Sequence, residues 1–197
     1  PGSRLRDWPQ GVLVVGGEVP PLDPALADAA ALRYAAALAR DEAGPVAPEW
    51  RNRRFTGQKA IAAWAALLRN TGEKVEDRHH ANVRQNLRWN RTAAVAFLRE
   101  MAARRGGSAA EELLAAAACY ERTLQVAEAM VVQGVSKDAA VRLRLAEQVE
   151  ALAAPEREAA QHLEQAAVLL TVRRESDRVW IEGVKGFDAG QYASSIH

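Results

Sequence analysis

One cysteine, Cys119, stands in a chain of 197 residues. That excludes an intrachain disulfide and a thiolate metal cluster, and a reducing cytoplasm is the expected compartment. No apolar run approaches the roughly 18–20 residues of a membrane span, and the opening PGSRLRDW has no hydrophobic signal core, so no membrane association is expected. Charge of one sign is lacking too. The 26 basic and 25 acidic residues leave a net charge of +1, without the broad field of a dedicated nucleic-acid binder, and a nucleic-acid partner is not expected. Catalytic signatures are missing as well: there is no Gly-x-Ser-x-Gly, phosphate loop or dinucleotide fingerprint, and VVGGE offers only a glycine pair.

What is present favours helix. Apolar residues make up 49% of the chain, enough to argue against disorder, and much of that share is alanine, the strongest helix former. The fold class expected is mainly α: a bundle of about six helices with one short N-terminal strand and an irregular or β-forming tail. The strand is Gln10–Val19, a β-branched run closed by glycines. Asp23-Pro24 starts the first helix, an N-cap followed by proline at the first helical position, and the helix is expected to reach about Glu42. A loop over Gly44–Gly57 follows, and Thr56 is expected to cap a helix carrying Ile61, Trp64 and Leu68 on one face. Glu73–His80 reads as a polar connection into the long helix beginning near Asn82. Ser108 and Glu111 have the spacing of a capping box for the next helix, running to about Gln133. Ser136 is the expected cap of a helix to about Ala153, and Pro155 opens the last, to about Glu175. In domain terms, residues 1–3 read as a cloning scar, 4–175 as the helical domain, and 176–197 as a tail or the start of a following unit.

The stretch NVRQNLRWNRTAAVAFLREMAARRGG, Asn82–Gly107, sets Asn82, Asn86 and Asn90 four apart beside Arg84, Arg88 and Arg91. At ~100° per residue, Val83, Leu87, Ala94, Phe97, Leu98 and Met101 gather on one side. Asn90 falls in the middle of that side and Asn86 at its flank, while the arginines border it. Asn90 is therefore expected to be buried, where an unpaired amide costs about 1–3 kcal/mol. One reading makes these amides a structural lock to a neighbouring loop; the other makes them a pocket wall. The candidate ligand-binding residues are Trp64, Asn86, Trp89, Asn90, Arg91 and Tyr120, with a small molecule as ligand. Together with Arg51, Arg53 and Arg54, the arginine stripe could also form a local anion patch.

Metal chemistry has little to build on. Glu76-Asp77-Arg78-His79 supplies one Glu-x-x-His, whereas a carboxylate-bridged di-metal bundle needs two such motifs and further glutamates. Glu158 and His162 are four apart, a different spacing. No metal or cofactor is expected, and Cys119, set among alanine and leucine, reads as a packed small hydrophobe rather than a nucleophile.

Three segments in order, FTGQKAIAAWAALL, NLRWNRTAAVAFLREMA and LLAAAACYERTLQVAEAM, resemble the helical half of bacterial proteins related to the butirosin-biosynthesis acyltransferase family, which are papain-like cysteine-hydrolase relatives. The matched features are Gly57 followed by Trp64, then Asn86, Asn90 and Arg91 leading into Phe97-Leu98-Arg99-Glu100, then Ala118-x-Tyr120-Glu121. The resemblance spans about Asp7–Val131. The tail DRVWIEGVKGFDAGQYASSIH is similar to the opening of that family's catalytic half, with serine at Ser194–Ser195 where the resemblance implies a nucleophilic cysteine. The implied His and Asp partners fall beyond His197. The implication is an accessory or ligand-gating helical domain of a larger hydrolase or acyltransferase relative, without catalysis of its own and partnered by the rest of a longer protein. Two other classes stand beside it: a small-molecule sensor domain of a regulator, and a module that homodimerises through the alanine-rich helices Pro24–Glu42 and Ala109–Gln133.

Overall fold

The computed structural model describes residues 23–42 and 56–171. The expected strand at Gln10–Val19, most of the loop that follows the first helix, and the tail from residue 172 lie outside the described residues. Within them the chain is mainly helical: α1 (Pro24–Arg40), α2 (Gly57–Arg69), α3 (Asp77–Arg105), α4 (Gly107–Ala129), α5 (Ala139–Glu150) and α6 (Ala153–Thr171).

Four of these helices form an up-and-down bundle, and their ion pairs set the directions. Arg99 pairs with Glu121 and Arg88 with Glu128, so α3 and α4 run antiparallel. Arg122–Glu158 and His162–Glu112 do the same for α4 and α6. Arg40–Glu164 and the bond from Arg33 to Thr171 Oγ1 set α1 against α6. Arg105, at the end of α3, also donates to Asp28 on α1. The core is rich in alanine: Ala29, Ala36, Ala116, Ala160 and Ala167 sit beside Leu32, Leu98, Met101, Leu113 and Leu163. Small side chains let helix axes approach closely. The buried alanines of α1 and α4 are thus committed to the core of their own chain.

α2 and α5 pack as a second layer over a separate cluster containing Leu68, Met130, Val135, Leu145, Val149 and Leu152, with Trp64 and Leu87 against it. The α1–α2 junction is tight. Gly57 has φ +47°, and a Cβ there would stand 1.9 Å from the Ala39 carbonyl oxygen, so only glycine fits. Asp41, left-handed at the C-cap of α1, accepts from the amide and the hydroxyl of Thr56.

Helix starts follow the sequence only in part. Asp23 caps α1 as expected, accepting from the Ala25 amide at 2.8 Å. Thr56 does precede α2, but its hydroxyl is spent on Asp41 and makes no cap bond. The Ser108–Glu111 capping box does not form, because α4 starts two residues earlier, with Gly106 at its N-cap. Asp138, not Ser136, caps α5, accepting from Ala140 and Val141. Residues 77–80, expected in a connection, are the first turn of α3; Asp77 there accepts from the amides of Gly134 and Ser136, both at 2.7 Å, and so pins the α4–α5 loop.

Candidate functional site

The six residues singled out from the sequence fall in three places. Trp64, on α2, donates from Nε1 to Nδ1 of His80 at 3.0 Å, and the two rings lie parallel. Arg91 and Tyr120 meet inside the bundle, the guanidinium carbon 4.6 Å from the tyrosine ring centroid. Asn86, Trp89 and Asn90 lie on the outer face of α3, and all three are exposed.

The burial expected for Asn90 is therefore wrong. Val83 and Phe97, expected inside, are each 45% exposed, and Trp89 is 66% exposed. The inward face of α3 is turned by roughly 60° from the one that hydrophobicity suggests, and its buried positions are His80, Val95, Leu98, Met101 and Ala102. Arg91 rather than Asn90 occupies its middle. The cause is a set of acceptors on other elements. Arg91 makes two 2.6 Å bonds to the carboxylate of Glu156 on α6, and Arg84 reaches the Met130 carbonyl at 2.9 Å. A bidentate charge-assisted pair is among the strong polar contacts, and Glu156, 3% exposed, lies in the first turn of α6 where the helix dipole favours an anion. Among the described residues, Arg84 Nε and Thr123 Oγ1 are the buried side-chain atoms left without a hydrogen bond.

A second polar centre escaped the sequence reading. Arg142 on α5, only 5% exposed, reaches the end of α2. Its Nε donates to the Leu68 carbonyl, Nη1 to that of Glu73 and Nη2 to that of Leu67, each at 2.7 Å, and Nη2 also donates to Asn70. Carbonyls at a helix C-terminus have no partner within the helix and carry the negative end of its dipole, so one guanidinium closes α2. His80 lies nearby, 4% exposed. Burial, and then the Arg142 charge, push its pKa down from 6.5, with Asp77 opposing and His79 adding to the shift. A neutral ring that accepts at Nδ1 carries its proton on Nε2.

The sequence did hold a signal for both centres. Arg142 occupies the apolar face of α5 with Leu145, Ala146 and Val149, and Glu156 stands likewise with Ala159, Ala160 and Leu163. A charge where the helical period calls for an apolar side chain marks a buried polar partner.

The remaining candidates are quiet. Cys119 is buried, burial pushes its thiol up, and Arg122 touches its sulfur at 3.3 Å while pairing with Glu158. Asp41 is held at about 2 by Lys59, with the two Thr56 bonds adding to the effect. Glu158 and His162 go to different partners on α4, Arg122 and Glu112. Among the described residues no group of three His, Cys, Asp or Glu side chains could hold a metal, and no helix is long and apolar enough to cross a membrane. An open cleft of about 470 Å³ lies between α2 and the α5–α6 corner, floored by Ile61, Ala62, Ala65 and Ala153 and flanked by Arg69 and Arg157. None of the six sequence candidates lines it.

Comparison of the chain with protein-family models, with curated proteins and with solved structures finds no match.

Proposed function

We propose that this chain is a non-catalytic accessory domain that works by docking, presenting the outer face of α3 to a helix of a protein partner. The observation behind this reading is the exposure of Trp89, Phe97 and Val83 beside Asn86 and Asn90 on α3, the longest helix among the described residues. Aromatic side chains in such positions are typical anchors of protein interfaces. The inward arginines, by contrast, are engaged in structural pairs. The resemblance to the helical half of papain-like relatives suggests a longer hydrolase or acyltransferase-like protein as the parent. The ligand-gating reading has one place to look, the α2–α5–α6 cleft, whose Arg157 suits an acidic group.

The test is urea unfolding of a Trp89→Ser, Phe97→Ser double variant, with binding of a hydrophobic fluorescent dye followed at low protein concentration. A docking face predicts stability within about 0.5 kcal/mol of wild type, as for surface positions generally, together with reduced dye binding. A loss above about 2 kcal/mol would assign these side chains to the fold and remove the proposal.

A further inference from the structure

We propose that the partner is a second copy of this chain, with α3 packed antiparallel on α3 across a two-fold axis. This rests on the docking reading above and names its occupant.

From Val83 the exposed positions advance by three and four residues through Asn86, Asn90, Ala93 and Phe97, and continue to Glu100 and Arg104. That is the heptad spacing of a helix–helix seam, here on the side of α3 that its own bundle leaves open. The stripe runs from Val83 to Arg104 within the 29 residues of α3, which at 1.5 Å per residue makes it roughly 30 Å long.

The stripe complements its own reverse. An antiparallel pairing centred between Arg91 and Thr92 sets Asn90 opposite Ala93 of the second copy and Asn86 opposite Phe97. At the flank it brings Trp89, the most exposed of the large apolar side chains among the described residues, within one turn of the small Ala96 of the second copy. Phe97 and Trp89 thus each meet a smaller group across the axis, Val83 falls opposite Glu100, and asparagines within such a seam fix register at some cost in strength.

Charge selects the direction. Glu100 and Arg104 take part in no ion pair among the described residues, whereas Glu76, paired with Arg78 at 2.7 Å and close to His79, sits at the other end of the helix. A parallel pairing would stack Glu100 on Glu100 and Arg104 on Arg104. The antiparallel one carries Arg104 to the Glu76 end of the second copy and opposes the two helix dipoles. The exposed aromatic area adds to this. At roughly 200 Å² per aromatic side chain, exposures of 66% for Trp89 and 45% for Phe97 leave about 220 Å² of aromatic surface per copy. That is over a quarter of the ~800 Å² each partner gives to a standard interface.

The experiment is sedimentation equilibrium over a concentration series, comparing wild type with a Trp89→Glu, Phe97→Glu double variant and, should that variant not fold, with Trp89→Ala, Phe97→Ala. The expected result is a shift from the 21.4 kDa chain to twice that mass as concentration rises, with the double variant weakened at least about 30-fold, as for loss of an interface anchor. Register is read in a Cys119→Ala background with a short bismaleimide. Ala93→Cys lies near the axis and is expected to cross-link to itself. His79→Cys is not, since its two copies would stand roughly 35–40 Å apart along the seam, but it is expected to cross-link to Arg104→Cys in a mixture. A mass that stays monomeric at all concentrations, or a dimer indifferent to both double variants, overturns the proposal; self-linking of His79→Cys overturns the antiparallel geometry. A monomer whose serine variants keep full stability and lose dye binding removes the second copy but leaves docking to another protein standing. A destabilised serine variant removes both.

Discussion

Replacing Arg142 with methionine removes the group that closes α2 while nearly conserving side-chain volume. The guanidinium donates to four carbonyls, those of Leu67, Leu68, Asn70 and Glu73. At about 1.5 kcal/mol for a hydrogen bond with a charged donor, the low end of the usual range, the gross loss is about 6 kcal/mol. Two effects reduce it. Methionine no longer carries the cost of burying a cation, which is worth several kcal/mol for a buried ion. Leu67, Asn70 and Glu73 are also exposed residues, so water can reach their carbonyls, whereas Leu68 is fully buried. The net expectation is a loss of about 3 kcal/mol. With a urea slope of about 2 kcal/mol/M, the unfolding midpoint should fall by roughly 1.5 M. Arg142→Lys keeps the charge but not the planar fork, and is expected to recover less than half of the loss. The imidazole of His80 gives a second readout: with the Arg142 charge gone, one of the forces lowering its pKa disappears, so in Arg142→Met its NMR titration should move to higher pH. A stability loss below about 1 kcal/mol, with the His80 titration unmoved, would refute the idea that this guanidinium closes α2.

Three further outcomes are expected. Gly57→Ala puts a methyl 1.9 Å from the Ala39 carbonyl oxygen at φ +47°; it should cost at least about 2 kcal/mol in urea unfolding, with faster amide exchange at the end of α1 and the start of α2. Removing the Glu156 carboxylate by Glu156→Leu strands Arg91 and should cost about 3–5 kcal/mol, whereas the Arg91→Leu, Glu156→Leu pair should recover most of that loss in a double-mutant cycle. The folded protein keeps His80 neutral and its pKa below 6.5, so the unfolded chain binds the extra proton first. The His80 contribution is complete above pH 6.5 and is lost as pH falls from there toward the folded value. Wild type should therefore lose stability as pH falls below about 6.5, and His80→Gln should flatten that part of the profile in urea titrations.

Local sequence chemistry carried α1 well. Asp23-Pro24 reads as an N-cap and first-turn proline because both act on amides within a few residues, and so it stands. Thr56 and Ser108 show where that logic ends. Each has a capping residue type at a helix start, yet Thr56 is drawn to Asp41 across the α1–α2 junction, and the α4 start shifts by two residues to leave Ser108 inside the helix. The Asn82–Gly107 stretch is the sharper case. Its first half has few strong apolar residues, so its wheel was dominated by Val83, Leu87 and Phe97, and two of those three are exposed.

The sequence by itself determined what depends on neighbours along the chain: helical content and the cap of α1. Gly57 appeared there only as a motif residue of the resemblance; its need for glycine is tertiary, because the Ala39 carbonyl on α1 leaves no room for a Cβ. The tertiary structure decided which face of α3 turns inward, because that rests on Glu156, Asp28 and the Met130 carbonyl, which lie 65, 77 and 46 residues from their arginines. It also decided that Asn86, Trp89 and Asn90 face outward while Trp64, Arg91 and Tyr120 are spent on internal pairs. Hydrophobic periodicity ranks faces by side-chain type alone; a buried arginine is stabilised by acceptors that only the packing of distant helices brings into reach.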